Sequence, residues 1–445
     1  MNRTLLLIFI CALAVRGVLF SVNFTHNNFD LIETIHCDDG YYELSQSILH
    51  GEGMSGNPLR PPLWPAIIAF TAYLFGYWGV LVLELLLASF IPILGALLSR
   101  VLVGDKFSHY VGWLMVFSPY PVLLSFILYS ETAFTFFFLI SLIFLFKYFQ
   151  PDQNQSLRTK FIALSALFLG LATLIKPTVQ FFPIIIPIIT LSIYRREITK
   201  PLIKQMALYG CIFLVIMAPW FYRNYSLFGV WGISAQPVFN LYVYLVPTVL
   251  SIDNDTNFAT ELNNFVTKDG FDVNTINLAN QAVFKAKALA ELKNHKTALI
   301  KSVVVTIITF LTHDGLLTLL QYSGVTIVNT VHKPAIFLLL HPIDFILTVY
   351  QFAKSPAILI IIMRGIWVFI STLLFFGLYK FIKQQGLSIN FLLASLIVAY
   401  FALTTSINGL GVNARFRVPV EVLIFSFAIY GFFAIKERIL DQKNT

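Results

Sequence analysis

Charge is what this sequence lacks. Only 12% of its 445 residues are Asp, Glu, Lys or Arg, about half the share of an ordinary soluble domain. Hydrophobic types make up 58% and the mean hydropathy is +0.79. Together these exclude a water-soluble globular enzyme, a disordered chain and a nucleic-acid-binding module. Cysteine is scarce as well: Cys11, Cys37 and Cys211 are too few and too scattered for a disulfide framework. The apolar start Met1–Val22 lacks a small-residue cleavage site and carries Arg16, so it reads as a retained first span. No internal repeat stands out. What the sequence does have is 44 Phe and one apolar run after another of about 20 residues, the length that crosses a bilayer. The fold class expected is an all-α polytopic membrane protein.

The net charge of +8 then has a topological meaning, because basic residues gather in cytoplasmic loops. Arg3, Arg100, Lys106, Lys147, Arg158, Lys160, Arg195, Arg196, Lys200, Lys204, Lys380, Lys383, Lys436 and Arg438 all flank apolar runs. Placing them inside puts both termini in the cytoplasm and Asn23–Arg60 outside. The predicted spans are about 4–22, 79–102, 108–123, 131–148, 161–176, 180–194, 205–222, 356–380, 388–406 and 418–435. Residues 62–76 are short for a span and read as a re-entrant or interfacial helix started by Pro61-Pro62. Segments 297–312 and 334–352 are either two more spans or surface helices, for a total of 10 or 12. Three regions follow: a membrane module 1–222 with a first external loop 23–78, an external region 223–296, and C-terminal membrane helices 297–445.

Charges that break the topological rule are the candidates for chemistry, since a charge at the membrane's outer edge is costly. Asp38 and Asp39 precede a short amphipathic helix at about Gly40–His50. They either cap it or supply a general base beside the membrane. His36, Cys37 and Asp38 are only a weak pointer to a divalent metal, because no second ligand cluster accompanies them. Arg60 leads a rigid Pro-Pro-Leu-Trp-Pro segment. Glu131 lies at the outer end of a Phe-rich span, as a cap or as a site residue. Lys176, Arg223, Arg415 and Arg417 end or open spans on the same side. Each alone can snorkel, but together they suggest a held anion, and the arginine fork suits phosphate. A lipid-phosphate-linked group donor fits carboxylates and cations framed by aromatic and apolar helices.

The series Asp38-Asp39-Gly-Tyr-Tyr42, Arg60-Pro-Pro-Leu-Trp-Pro, Ser130-Glu131, Gly170 to Lys176-Pro177, Pro219-Trp220 to Arg223-Asn224-Tyr225 and Arg415-Phe-Arg417-Val-Pro419 runs in order along most of the chain. In that order it resembles the GT-C membrane glycosyltransferases, within them the dolichyl-phosphate-mannose–protein mannosyltransferase superfamily and its bacterial and archaeal relatives. Residues 240–355 match least. The resemblance implies a GT-C type bundle of about 10–12 transmembrane helices with external amphipathic loop helices. It implies inverting transfer of a sugar from a polyprenyl phosphate to an acceptor hydroxyl on the external face. It places the catalytic base at Asp38, or at Asp39 one residue on. Tyr42, Arg60, Lys176, Arg223, Arg415 and Arg417 are then the substrate-binding candidates. Some relatives carry an acidic residue just before the proline pair. Arg60 stands there instead, which moves any second carboxylate role to Glu131. The implied partners are the lipid-linked donor, a protein, lipid or glycan acceptor and membrane lipids, with no nucleic acid and no firmly implied cofactor. The competing readings are a transporter or flippase for a lipid-linked sugar and a glycan ligase or polymerase. Transporters of that kind place charges at the bilayer midplane, where this chain has few beyond Arg16 and Arg364.

Overall fold

The computed structural model describes residues 3–37, 39–54, 59–151, 153–270, 272–325, 341–354, 357–409 and 413–444. Among these the regular structure is helical throughout, as a lipid environment demands of a chain whose backbone groups must be satisfied internally. The first helices are α1 (Arg3–His26), α2 (Leu31–Ile35), α3 (Tyr41–Leu49) and α4 (Leu63–Val103). They are followed by α5 (Asp105–Val116), α6 (Pro119–Leu123), α7 (Glu131–Tyr148), α8 (Gln155–Ile175), α9 (Phe182–Ile193) and α10 (Lys200–Phe228).

Eight helices among the described residues are long and apolar enough to cross a membrane, or nine if the bent pair at 281–312 is one span. The side-chain contacts identify two shorter passages as well. Lys106 reaches Glu437 (2.8 Å) and Ser118 reaches Glu421 (2.8 Å). Those two glutamates lie 16 residues apart on one helix, about 24 Å at 1.5 Å per residue, so α5 runs from one end of the bundle towards the other. Similarly, the turn before α9 lies at the end where Tyr400 donates to the carbonyl of Thr178 (2.5 Å). Tyr194, after α9, shares a cavity with Tyr148 at the other end. With the eight long helices this makes ten passes among the described residues. Proline and glycine accompany the short lengths: Gly104 (φ +92°) breaks the chain before α5, Pro177 opens the turn before α9, and Pro187 lies inside α9.

The segment 62–76 is helical and continuous with the span that follows. The two are joined at Gly76 (φ +65°, ψ −176°), a conformation open essentially to glycine. Its aromatic side chains Phe70, Tyr73 and Phe75 are exposed, as for a helix facing lipid or the membrane surface.

Beyond α10 the polar stretch forms a helical unit with its own core. It comprises α11 (Gln236–Phe239), a π-helical turn at Asn240–Leu245, α12 (Val246–Asp253), α13 (Phe258–Asp269) and α14 (Gln281–Asn294). Tyr242 packs against Phe265 and Phe284 with ring centroids 4.8 and 5.1 Å apart. α15 (Lys296–Thr312) follows at a 100° bend. Then come α16 (Leu316–Tyr322), α17 (Pro342–Ala353), α18 (Ile358–Gln385), α19 (Ile389–Thr405), α20 (Asn413–Arg417) and α21 (Glu421–Asn444). Helices α18 and α21 cross closely because Gly377 and Gly431 meet there. A Cβ on Gly377 would lie 1.8 Å from the carbonyl oxygen of Phe427. Small residues at such a crossing are how membrane helices gain backbone contact.

Candidate active site

Five of the charges singled out in the sequence converge at the end of the bundle that carries α2 and α3. Gly40 (φ +73°), not an aspartate, occupies the N-cap of α3, with no side-chain cap bond. The Asp39 carboxylate is turned instead towards two arginines. Arg60 donates from Nε to the Asp39 carbonyl (3.1 Å) and from Nη2 to Oδ1 (3.0 Å). Arg415 donates from Nη2 to Oδ2 and from Nε to Glu131 Oε1 (2.5 Å). The same Glu131 oxygen receives Lys176 Nζ (2.5 Å). Glu131 opens α7, Lys176 follows the last residue of α8, and Arg415 sits on α20, so three chain reversals meet at one point. The cluster holds three cations against two carboxylates, leaving one positive charge.

Aromatic rings frame the cations. The Arg415 guanidinium lies 3.9 Å from the Tyr129 ring centroid, Arg60 5.4 Å from Tyr41, and Lys176 Nζ 5.0 Å from Phe416, all within cation–π range. Burial pushes the Tyr41 phenol up to about 12, with Arg60 lowering it less than burial raises it. Burial acts against the Arg60 charge, but Tyr41 and Asp39 outweigh it and raise its pKa overall, so Arg60 stays a cation. A cavity of about 170 Å³ opens beside the cluster, with Arg60, Lys176 and Arg415 on its wall and Phe134, Phe181 and Pro177 among its apolar lining. Gln236, Asn240 and Asn408 line it too. This arrangement can hold an anion with an apolar tail: the cations bind charge in a partly dry site, and the apolar wall continues into the membrane-spanning helices.

No protein-family model matches the chain, and no curated protein matches it by sequence. Solved structures do match in fold. The oligosaccharyltransferase of Archaeoglobus fulgidus in its apo form aligns with 99% of this chain and 52% of its own, at 12% identity and a TM-score of 0.53. The archaeal oligosaccharyltransferase AglB of the same organism, in complex with an inhibitory peptide and a dolichol-phosphate, aligns with 97% of this chain and 51% of its own, at 13% identity and a TM-score of 0.50. The fold is GT-C. The chain spans about half the length of these oligosaccharyltransferases. ArnT from Cupriavidus metallidurans bound to undecaprenyl phosphate aligns with 98% of this chain and 79% of its own, at 14% identity and a TM-score of 0.42.

Within this GT-C bundle Asp39, Arg60, Glu131, Lys176 and Arg415 stand together. Asp38 lies outside the described residues. Tyr42 does not line the cavity: its ring packs on Tyr77 at 5.0 Å and its hydroxyl accepts from Gln46 (3.4 Å). The neighbouring Tyr41 lines it instead. Arg223 lies apart, over Trp220 at 4.6 Å, donating to Asn224 Oδ1 (2.8 Å) and the Met54 carbonyl (3.4 Å). Arg417 is fully buried in a different network, bonded to Glu421 (3.2 Å) and the Phe310 carbonyl (2.7 Å) and stacked 3.4 Å over Trp367. His36 pairs with Glu43 (2.8 Å) and Cys37 donates to the Leu128 carbonyl (3.3 Å). No group of three His, Cys, Asp or Glu able to hold a metal occurs among the described residues. Sequence reasoning missed Gln236, Asn240 and Asn408, because neutral amides in a polar stretch carry no anomaly of charge or hydropathy.

Proposed function

We propose that this chain is an integral-membrane glycosyltransferase that moves a sugar from a polyprenyl phosphate to an acceptor hydroxyl on the external face of the membrane. The observation that carries the reading is the cluster of Arg60, Arg415 and Lys176 around two carboxylates, lining a cavity with an apolar wall. The GT-C fold supports it, as does the dolichol-phosphate in the complex of AglB, a protein of that fold.

In this reaction the acceptor oxygen attacks the anomeric carbon, the bond from that carbon to the phosphate oxygen breaks, and the electron pair leaves on the phosphate. Configuration at the anomeric carbon inverts. The acceptor proton passes to a general base. The phosphate leaves without a general acid, and the cations stabilise the charge it develops. Both Asp39 oxygens are occupied by guanidinium groups, which suits a residue that holds Arg60 and Arg415 in place. The base is then Asp38, the residue that the GT-C resemblance implies for that role. Glu131 holds Lys176 and Arg415 side by side.

The test is transfer by the full-length protein in nanodiscs, supplied with polyprenyl-phosphate sugars and a hydroxyl acceptor, with the product identified by mass spectrometry. A single-sugar product and free polyprenyl phosphate are expected. Movement of intact donor between leaflets with no new glycosidic bond would instead indicate a transporter. Arg415→Ala should lower the rate about 10²- to 10³-fold, the range for removing one group that stabilises developing charge.

A further inference from the structure

The cavity beside the charge cluster has a second polar wall that carries no charge. Gln236, on α11, donates from Nε2 to Asn240 Oδ1 (2.6 Å). Asn240 donates from Nδ2 to Asn408 Oδ1 (2.5 Å). Asn408 donates from Nδ2 to the backbone carbonyl of Thr405 (3.4 Å). The direction of this ladder is fixed at its far end, because a backbone carbonyl can only accept. Each amide therefore turns its N–H groups towards Thr405 and its oxygen towards Gln236. The near end of the ladder is left with one acceptor. Gln236 Oε1 is shielded from solvent and receives no hydrogen bond among the described residues.

A buried acceptor without a donor costs roughly 1–3 kcal/mol, a cost that a hydroxyl brought into the cavity by a ligand would offset. The ladder also sits on irregular backbone. Asn240 is the first residue of the π-helical turn Asn240–Leu245, and such turns are rare and concentrate at functional positions. Asn408 lies in the 3₁₀ turn that ends α19.

Building on the glycosyltransferase reading, we propose that Gln236, Asn240 and Asn408 form the sugar-recognition wall of the cavity. The wall takes a neutral, hydroxyl-rich glycosyl group, and Gln236 Oε1 accepts a hydrogen bond from one of its hydroxyls. The division of labour is electrostatic. The cationic wall holds phosphate, for which amides are too weak, and the amide wall reads hydroxyls, which neither need nor reward a full charge. A sugar bearing a carboxylate at the same position is disfavoured, because an acceptor would face an acceptor.

The test measures binding to the full-length protein in nanodiscs, using bare undecaprenyl phosphate and undecaprenyl phosphate carrying mannose, glucose or galactose. At least one sugar-bearing lipid should bind tenfold or more tightly than the bare lipid. Gln236→Met and Asn240→Leu should each reduce that advantage to threefold or less while leaving the bare lipid's affinity within twofold. Should one variant lose the bare lipid as well, the other decides. Loss of both lipids in both variants would make the ladder a support of the fold and overturn the inference. An advantage that survives both substitutions, or no advantage in the unaltered protein, overturns it while leaving the phosphate site standing. If the unaltered protein binds none of these lipids, the glycosyltransferase reading falls, and this inference with it.

Discussion

Asp38 and Asp39 are adjacent in the chain, and the contacts of Asp39 support the proposal that they have different tasks. A base needs a free lone pair where the acceptor hydroxyl arrives, and Asp39 has both oxygens engaged by Arg60 and Arg415. Asp38→Asn should therefore lower kcat by about 10²- to 10⁴-fold, the usual worth of a positioned base, with donor KM little changed. Asp39→Asn removes the acceptor that orients two arginines and should raise donor KM as well as lower kcat. Steady-state kinetics on both variants check the division, and the opposite pattern would transfer the base role to Asp39. Cys37, two residues before Asp39, gives a pH prediction. Burial first, and the nearby Asp39 charge second, push its thiol up to about 12. Because the thiolate is the reactive form, Cys37 should resist iodoacetamide at every pH up to about 9 in the folded protein and react only on denaturation. Mass spectrometry of the alkylated chain reads this directly. At this scale the sequence was informative wherever a residue broke a rule: Glu131, Lys176 and Arg415 are charges beside hydrocarbon. The amide ladder broke none, so only the fold brings it into view.

Helical geometry explains why Arg415 and Arg417, equivalent in the sequence motif, part company. Two residues along a helix turn the side chain by about 200°, so α20 directs Arg415 to the Asp39–Glu131 cluster and Arg417 to Glu421 and Trp367. The motif could be read as two phosphate-binding cations only because the helical phase of so short an element is not set by hydropathy. The same limit applies to 62–76 and 180–194, which read as a re-entrant or interfacial helix and a span respectively. What they do depends on Gly76 and on the proline positions as much as on apolar content. One element-scale prediction concerns the crossing of α18 and α21, the helix that runs on from α20. Gly377→Ala places a methyl group against the backbone of Phe427, an obstacle that no rotamer change relieves. It should destabilise the protein by about 1–3 kcal/mol, as overpacking does, seen as a lower melting temperature in detergent. Gly365→Ala on the same helix is the control, since nothing lies within 4 Å of the added carbon and alanine favours helix over glycine.

For the molecule as a whole, we propose that the ten passes among the described residues return the chain to the side where it began. That parity is independent of charge counting, because it comes from which side chains touch at each end of the bundle. Lys106 meets Glu437 and Tyr430 donates to Gln384 (2.6 Å) at one end, while Asp39, Glu131, Lys176 and Arg415 meet at the other. The basic loops Arg195–Lys204 and Lys380–Lys383 lie at the first end, away from the site. If the positive-inside rule holds, that end is cytoplasmic, and the cavity, with the 235–294 unit beside it, is external. Among the described residues the bent pair at 281–312 bears on the count: as a further full span it would make eleven passes and put the termini on opposite sides. Its contacts argue against this, since Thr306 donates to the Gly409 carbonyl (3.4 Å) and the Phe310 carbonyl accepts from Arg417, both at the site end. Single cysteines at two exposed lysines, introduced with Cys211 replaced by Ser, decide the matter. Lys285→Cys on α14 should react with a membrane-impermeant maleimide added outside intact cells. Lys383→Cys at the end of α18 should react only after permeabilisation. Labelling of both from outside, or of neither, would break the ten-pass arrangement and with it the external placement of the cavity.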